Sequence, residues 1–253
     1  MDADAGVDVD AAPPPYTGGM KSDTVRLFQT LPHPCGYYAE RTAQNLVIDP
    51  SAPELARVYD SALEQGFRRA GGHVYRPQCP GCAACIPCRI AVEAFVPSRS
   101  QRRCERRNAD LEVHLAPPTR TDEQFELYRR YLAERHRGGG MDDPAPEDFE
   151  RFLAAPWSPT RFVEFRHHGR LLAVAVTDFC AVGLSAVYTF FDPEERARGL
   201  GTYAILSQIR LARHLGLPHL YLGYWIARHP KMGYKALYRP PEVRRGSEWQ
   251  ALA

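Results

Sequence analysis

Three groups of side chains in this sequence sit at spacings that imply chemistry. The first is Cys79-Pro-Gly-Cys82-Ala-Ala-Cys85-Ile-Pro-Cys88, a run of cysteines separated by two residues each. Thiolates this close can share one metal ion or cluster. Zinc sites usually take two well-separated Cys-x-x-Cys pairs, because four ligands on one short loop strain a tetrahedron. Iron–sulfur sites more often take a tight run plus a remote ligand. Cys35, Cys104 and Cys180 are the remote candidates, although Cys104 and Cys180 read as well as small buried apolar residues. A packed, metal-free corner is the plain alternative.

The second group is Arg196-x-x-Gly199-x-Gly201. It follows a strand-like run, Gly183–Phe191, that Asp192-Pro193 stops, and it opens a helix-like segment over 200–215. A helix start offers unpaired N–H groups and the positive end of the helix dipole, so it suits an anion. Gly199 and Gly201 let a phosphate approach the backbone, and Arg196 and Arg198 add charge. The spacing is not that of the dinucleotide fingerprint. The third group is Arg99, Arg102, Arg103, Arg106 and Arg107. On a helix over 98–108 they share one face. Such a face repels itself unless an anion meets it, and a nucleic-acid backbone is the expected partner. A merely solvated face is the alternative.

These groups need elements to hold them. Ser51-Ala-Pro-Glu54 reads as a capping box before a helix with Leu55, Val58, Tyr59 and Ala62 on one face, closed by Gly66. Residues 24–30, 89–96 and 111–115 read as strands, and 121–136 as an amphipathic helix. A Gly-rich loop at 138–144 and a short helix at 148–153 follow. Residues 161–166 and 170–179 form a hairpin about His168-Gly169, and 218–225 returns as a strand. The expected class is α/β (α+β). We expect a disordered extension over 1–22, a smaller cysteine-containing α+β domain over 23–118, ended by Pro117-Pro118, and a larger domain over 119–253.

Composition fits a globular chain of 253 residues: 44% hydrophobic and 25% charged. The longest purely apolar run, residues 171–176, is far too short to span a membrane. The odd number of cysteines, seven, and their crowding argue against a secreted disulfide framework, so a cytoplasmic protein is expected. Formal charge is +2, but Asp2, Asp4, Asp8 and Asp10 leave the remainder more basic than that. Nothing in the composition calls for a membrane or DNA partner.

The glycine loop resembles the R/Q-x-x-G-x-G/A loop of GNAT acyltransferases. A wider resemblance rests on several long motifs. They are His33-Pro-Cys35-Gly-Tyr-Tyr, Phe67-Arg-Arg-Ala-Gly-Gly-His-Val-Tyr-Arg-Pro-Gln-Cys-Pro-Gly-Cys82, Tyr188-Thr-Phe-Phe-Asp-Pro193, Leu200-Gly-Thr-Tyr203, Tyr221-Leu-Gly-Tyr-Trp-Ile226 and Lys231-Met-Gly-Tyr-Lys235. Over about residues 25–249 the chain resembles the arginyl-tRNA–protein transferase family, and most of all its bacterial branch. The resemblance implies a GNAT-like C-terminal domain whose anion loop faces a tRNA 3′ end. It implies transfer of leucine from Leu-tRNA to the N-terminus of proteins beginning with Asp or Glu, within the N-degron pathway. An arginyl donor on the same acceptors is the nearest alternative. An acetyl-CoA-dependent N-acetyltransferase leaves the arginine face and cysteine unit unexplained, and a non-catalytic RNA-binding module leaves the anion loop without purpose. The resemblance also implies an iron–sulfur cluster, or zinc, at Cys35, Cys79, Cys82 and Cys85. Cys88 looks like an extra cysteine, and Tyr38 stands where eukaryotic members carry a second cysteine.

An aminoacyl ester is already activated, so the chemistry requires no cofactor and no protein nucleophile. Tyrosine hydroxyls at Tyr188, Tyr203 and Tyr224 are candidates to polarise the ester carbonyl. Asp178, at a strand end, is the candidate for the incoming ammonium group. Arg76, Lys231 and Lys235 are candidates for the acceptor's carboxylate, and Phe190, Phe191 and Trp225 for an apolar donor pocket.

Overall fold

The computed structural model describes residues 24–135 and 143–252, so the expected extension over 1–22 and most of the loop at 138–144 lie outside the described residues. The chain begins with β1 (Leu27–Gln29), β2 (His33–Pro34), β3 (Thr42–Ala43), β4 (Asn45–Ile48), α1 (Leu55–Glu64), β5 (Arg68–Ala70) and β6 (His73–Pro77). Next come β7 (Ile86–Ala91), α2 (Arg99–Arg107), β8 (Glu112–Ala116), α3 (Asp122–Arg135) and α4 (Pro146–Leu153). The chain continues with β9 (Thr160–His167), β10 (Arg170–Cys180), β11 (Gly183–Phe191), α5 (Leu200–His214), β12 (His219–Trp225), β13 (Pro241–Arg245) and β14 (Glu248–Ala251).

An eight-stranded sheet in the order β14-β13-β7-β12-β11-β10-β9-β8 forms the body, with a four-stranded sheet, β1-β4-β6-β5, beside it. The mixed α/β architecture is the expected one. The sheets do not divide at Pro117-Pro118, however. Both β7 and β8 precede that proline pair, yet they lie in the large sheet. The β7 strand pairs with β12 on one side and β13 on the other.

The apolar run of β10 is continuous because both faces of the strand are buried. Ala173 and Ala175 face the core beneath α5, while Val174 and Val176 face the core beneath α3 and α4. A third core joins α1 to the small sheet. Gly66 does close α1, at φ 81°. The capping box expected at Ser51–Glu54 does not form: Glu54 is a left-handed N-cap with no side-chain capping bond, its carboxylate pairing with Arg57 instead. Ser51 instead donates to Asp49 Oδ1 through its N–H (2.9 Å) and hydroxyl (2.6 Å). Capping boxes form instead at Ser98 with Gln101, at the start of α2, and at Thr121 with Gln124, at the start of α3.

One irregularity positions the site. The strands β11 and β12 pair in parallel only at Leu184 with Leu220 and Ser185 with Tyr221, although they run on to Phe191 and Trp225. Val187 is an extra residue against β10, and Leu222 is an extra residue against β7. Such bulges twist strands away from their neighbours, and here two of them part β11 from β12. No helix among the described residues is long and apolar enough to cross a membrane.

Candidate active site

The gap between β11 and β12 is lined from the small sheet and from the segment after β12. Arg68, on β5, reaches in and donates from Nη2 to the carbonyl of the bulged Val187 at 3.1 Å. Tyr37, Tyr75, Tyr224 and Tyr234 stand near its guanidinium. Burial works against the charge of Arg68, but Tyr75, Tyr37 and Tyr224 outweigh it and hold the group above the ordinary arginine value. Burial likewise pushes Tyr37 up to about 12. Lys235 is 3% exposed and its Nζ donates to the Tyr224 carbonyl at 2.5 Å. Burial, and then the charge of Arg68, lower its ammonium to about 7.

Several expected roles are corrected by this geometry. Asp178 has no capacity left for a substrate ammonium, because Arg69 grips it through Nε (to Oδ2) and Nη2 (to Oδ1), both at 2.8 Å. Thr160 donates to Oδ1 at 2.6 Å and Tyr59 to Oδ2 at 3.1 Å. Both ion-pair partners are wholly buried. Tyr224 donates its hydroxyl to the carbonyls of Tyr75 (3.0 Å) and Gly66 (3.3 Å), clasping β12 to the small sheet. Tyr203 lies in the core beneath α5 against Phe165, on the opposite face of the sheet from Tyr188. The hydroxyl of Tyr188 is buried with no hydrogen-bond partner among the described residues, and burial raises its pKa. It therefore keeps its candidacy. The expected acceptor cations divide too. Arg76 spends Nη1 on the Gln65 carbonyl (3.0 Å) and stacks over Phe67, Lys231 is exposed, and Lys235 is committed to Tyr224. Phe190 is core, wholly buried under α3.

The anion loop forms, but its arginines are largely spoken for. Gly199 takes the left-handed N-cap of α5 at φ 67°, a conformation that suits glycine. Arg198 forks onto Asp110 at 2.8 and 2.9 Å and reaches Glu195 at 3.3 Å. Arg196 pairs with Glu134. Gly201 faces Phe191, which a Cβ there would meet at 3.3 Å. On α2 the arginine face is real: Arg99, Arg102, Arg103, Arg106 and Arg107 are exposed, while Gln101 and Cys104 are buried. Arg102 donates to the Pro97 carbonyl and Arg107 to that of Ala197.

Of the clustered cysteines, Cys85 lies near Cys35, Cys79 and Cys82. Burial first, then Cys35, Cys79 and Cys82, raise the Cys85 thiol to about 11. The Gln44 N–H donates to the Cys79 sulfur and Arg41 to the Cys82 sulfur, each at 3.4 Å. Such donors suit thiolate ligands. Among the described residues, though, no three His, Cys, Asp or Glu groups are spaced to hold a metal ion. Cys88 is buried in β7. A separate cavity of about 410 Å³ lies between the 70–73 turn and α3–α4, lined among others by His73, Tyr128, Asp148, Arg151 and Phe152.

Two family models match the chain: arginine-tRNA-protein transferase, N terminus, over residues 33–103, and its C terminus over 123–245. Aspartate/glutamate leucyltransferase of Stenotrophomonas maltophilia (strain R551-3) is 56% identical over 91% of this chain and 94% of its own length. The chain belongs to the arginine-tRNA–protein transferase family. Other relatives with the same name are 51% identical in Xylella fastidiosa (strain 9a5c), over 91% of this chain and 93% of that protein, and 49% identical in Pseudomonas savastanoi pv. phaseolicola, over 90% and 97%. Against this family background the missed residues are Arg68 and Arg69. Their doublet lies between Phe67 and Ala70, where a basic, Gly-rich stretch gave no periodicity to say that one arginine is buried and the other faces a cleft.

Proposed function

We propose that the chain joins leucine from Leu-tRNA to the N-terminus of proteins that begin with Asp or Glu, by aminolysis of the aminoacyl ester. Identity of 49–56% to aspartate/glutamate leucyltransferases, over 90–91% of the chain, carries this reading. The tRNA 3′ end enters at the start of α5, and the aminoacyl ester lies in the gap between β11 and β12. The edge of β11 beyond Ser185 has no strand partner on that side. Its backbone N–H groups are therefore available to the oxyanion that forms as the amine attacks, with the Tyr188 hydroxyl nearby. An α-amine titrates near ~8, so a reactive fraction is neutral at pH 7. The protein's main task is to hold amine and carbonyl about 3–3.5 Å apart. The new amide forms, the ester C–O bond breaks, and the tRNA hydroxyl leaves with a proton. Were a cluster or zinc held by Cys35, Cys79, Cys82 and Cys85, no step of this reaction would need to pass through it. The working compartment is the cytoplasm.

Transfer of labelled amino acid tests the reading directly. Leu-tRNA and Arg-tRNA are each offered with peptides beginning Asp, Glu, Lys or Ala. Leucine on the Asp and Glu peptides alone is the expected result, and arginine on those same peptides would overturn the donor assignment.

The α2 face is assigned to the tRNA backbone. The side chains of Arg103 and Arg106 are exposed and make no hydrogen bond or ion pair with the described residues, so truncating them is expected to leave the fold intact. Arg103→Ala with Arg106→Ala is expected to weaken tRNA binding about tenfold at moderate salt and to flatten the salt dependence by about one to two phosphate contacts. An unchanged affinity and slope, measured by filter binding across a salt series, would remove α2 from the interface.

A further inference from the structure

We propose that Arg68 is the anchor for the side-chain carboxylate of the acceptor's N-terminal Asp or Glu. The assignment rests on the transferase reading above and names the residue that makes it selective for acidic acceptors.

Arg68 is unusual among the inward-facing arginines. Arg69 is closed onto Asp178, Arg89 onto Glu242 and Arg166 onto Glu164. Arg68 has no carboxylate partner among the described residues, and its one hydrogen bond there goes to the Val187 carbonyl. A guanidinium carries five N–H donors in a fixed fork. Most of this fork is unspent, and a half-buried fork suits a planar anion with two oxygens. Glycine lets this guanidinium lie directly against the backbone of β12. Gly223 sits at φ 74°, and a Cβ there would come within 3.0 Å of Nη1 and 3.3 Å of Cζ.

Position also matters. Arg68 bonds the bulged residue of β11, so an anion on the fork sits beside the unpaired edge assigned to the ester carbonyl. In an N-terminal Asp the carboxylate and the α-amine are separated by only two carbons. An acceptor held by its carboxylate on Arg68 thus has its amine held near the same edge. Lys or Ala at the acceptor's first position leaves the fork unpaired, and covering a half-buried charge without a partner works against binding.

The test compares wild type with Arg68→Gln and Arg68→Lys. Acceptors are peptides that differ only in beginning with Asp, Asn, Glu or Gln, and the donor is Leu-tRNA. For Arg68→Gln, kcat/KM on the Asp and Glu peptides is expected to fall about 100-fold, as for loss of one partner of a buried charge pair. The Asp-to-Asn ratio should collapse toward one, while the affinity for Leu-tRNA stays at the wild-type value. Arg68→Lys keeps a charge without the fork and should retain an intermediate ratio. It carries the same test if the glutamine variant does not fold. A ratio that stays at the wild-type value while both rates fall would make Arg68 structural and overturn the assignment. Loss of Leu-tRNA affinity in step with rate would place the fork on the donor and overturn it as well. Wild-type protein that transfers no leucine to either acidic peptide would refute the underlying reading before any substitution is made.

Discussion

Asp178→Ala is expected to destabilise the protein by about 3–5 kcal/mol, because it leaves the Arg69 guanidinium buried without its counter-charge. For a chain of this size that is a fall in Tm of roughly 10–15 °C. The cost is high because nothing else present can take the charge. Arg69 has its remaining donors on the carbonyls of Gly71 and Leu153, both at 3.0 Å. These satisfy hydrogen bonding but not charge. The pair also ties β5 of the small sheet to β10 of the large one, so loosening it loosens the wall that carries Arg68. The double change Arg69→Met with Asp178→Leu removes both charges together. It is expected to recover most of the stability, since a buried ion pair is often no better than an apolar one of similar volume. Urea and thermal unfolding of the three proteins check this. A stable but inactive Asp178→Ala protein would return Asp178 to the chemistry.

Lys235→Met is expected to change stability in a manner that depends on pH. The folded value is about 7 and the ordinary one 10.5. Between these values the unfolded chain holds a proton at Lys235 that the folded chain does not. Stability of the wild type therefore rises with pH across that window. Below pH 7 the buried ammonium costs on the order of 5 kcal/mol relative to high pH. Methionine removes that cost at every pH. It also leaves the Tyr224 carbonyl without its donor, a constant loss of about 1–3 kcal/mol. The variant should accordingly match or exceed the wild type at pH 6 and fall below it at pH 9.5. Melting curves at the two values decide the matter, and a difference independent of pH would contradict a depressed Lys235.

Local pattern revealed the elements better than the site. The β9–β10 hairpin could be read because His168-Gly169 interrupts two apolar runs, and in the structure both take positive φ. The arginine face of α2 could be read because helical spacing alone puts those side chains together. Asp178 could not be placed, since its partner Arg69 is distant in sequence and local alternation carries no trace of a pairing across two sheets. Arg198 looked available because Asp110, which neutralises it, lies on a different element. Tyr224 and Lys235 were found as residues but not as roles, because each is fixed by a backbone carbonyl that no side-chain motif announces. The same holds for the sheet boundary. Pro117-Pro118 marks a chain turn, whereas strand membership is decided by partners made much later.

The position of β7 has a consequence for how the protein is made. Its two neighbours, β12 and β13, both emerge from the ribosome long after it. Until they arrive, a strand bearing the apolar Ile90 and the thiol of Cys88 has both edges open. Open edges of this kind recruit other strands. The nascent chain thus has to shield its own middle throughout synthesis, and a pause before residue 219 should expose it to aggregation or to chaperones more than a pause near the end.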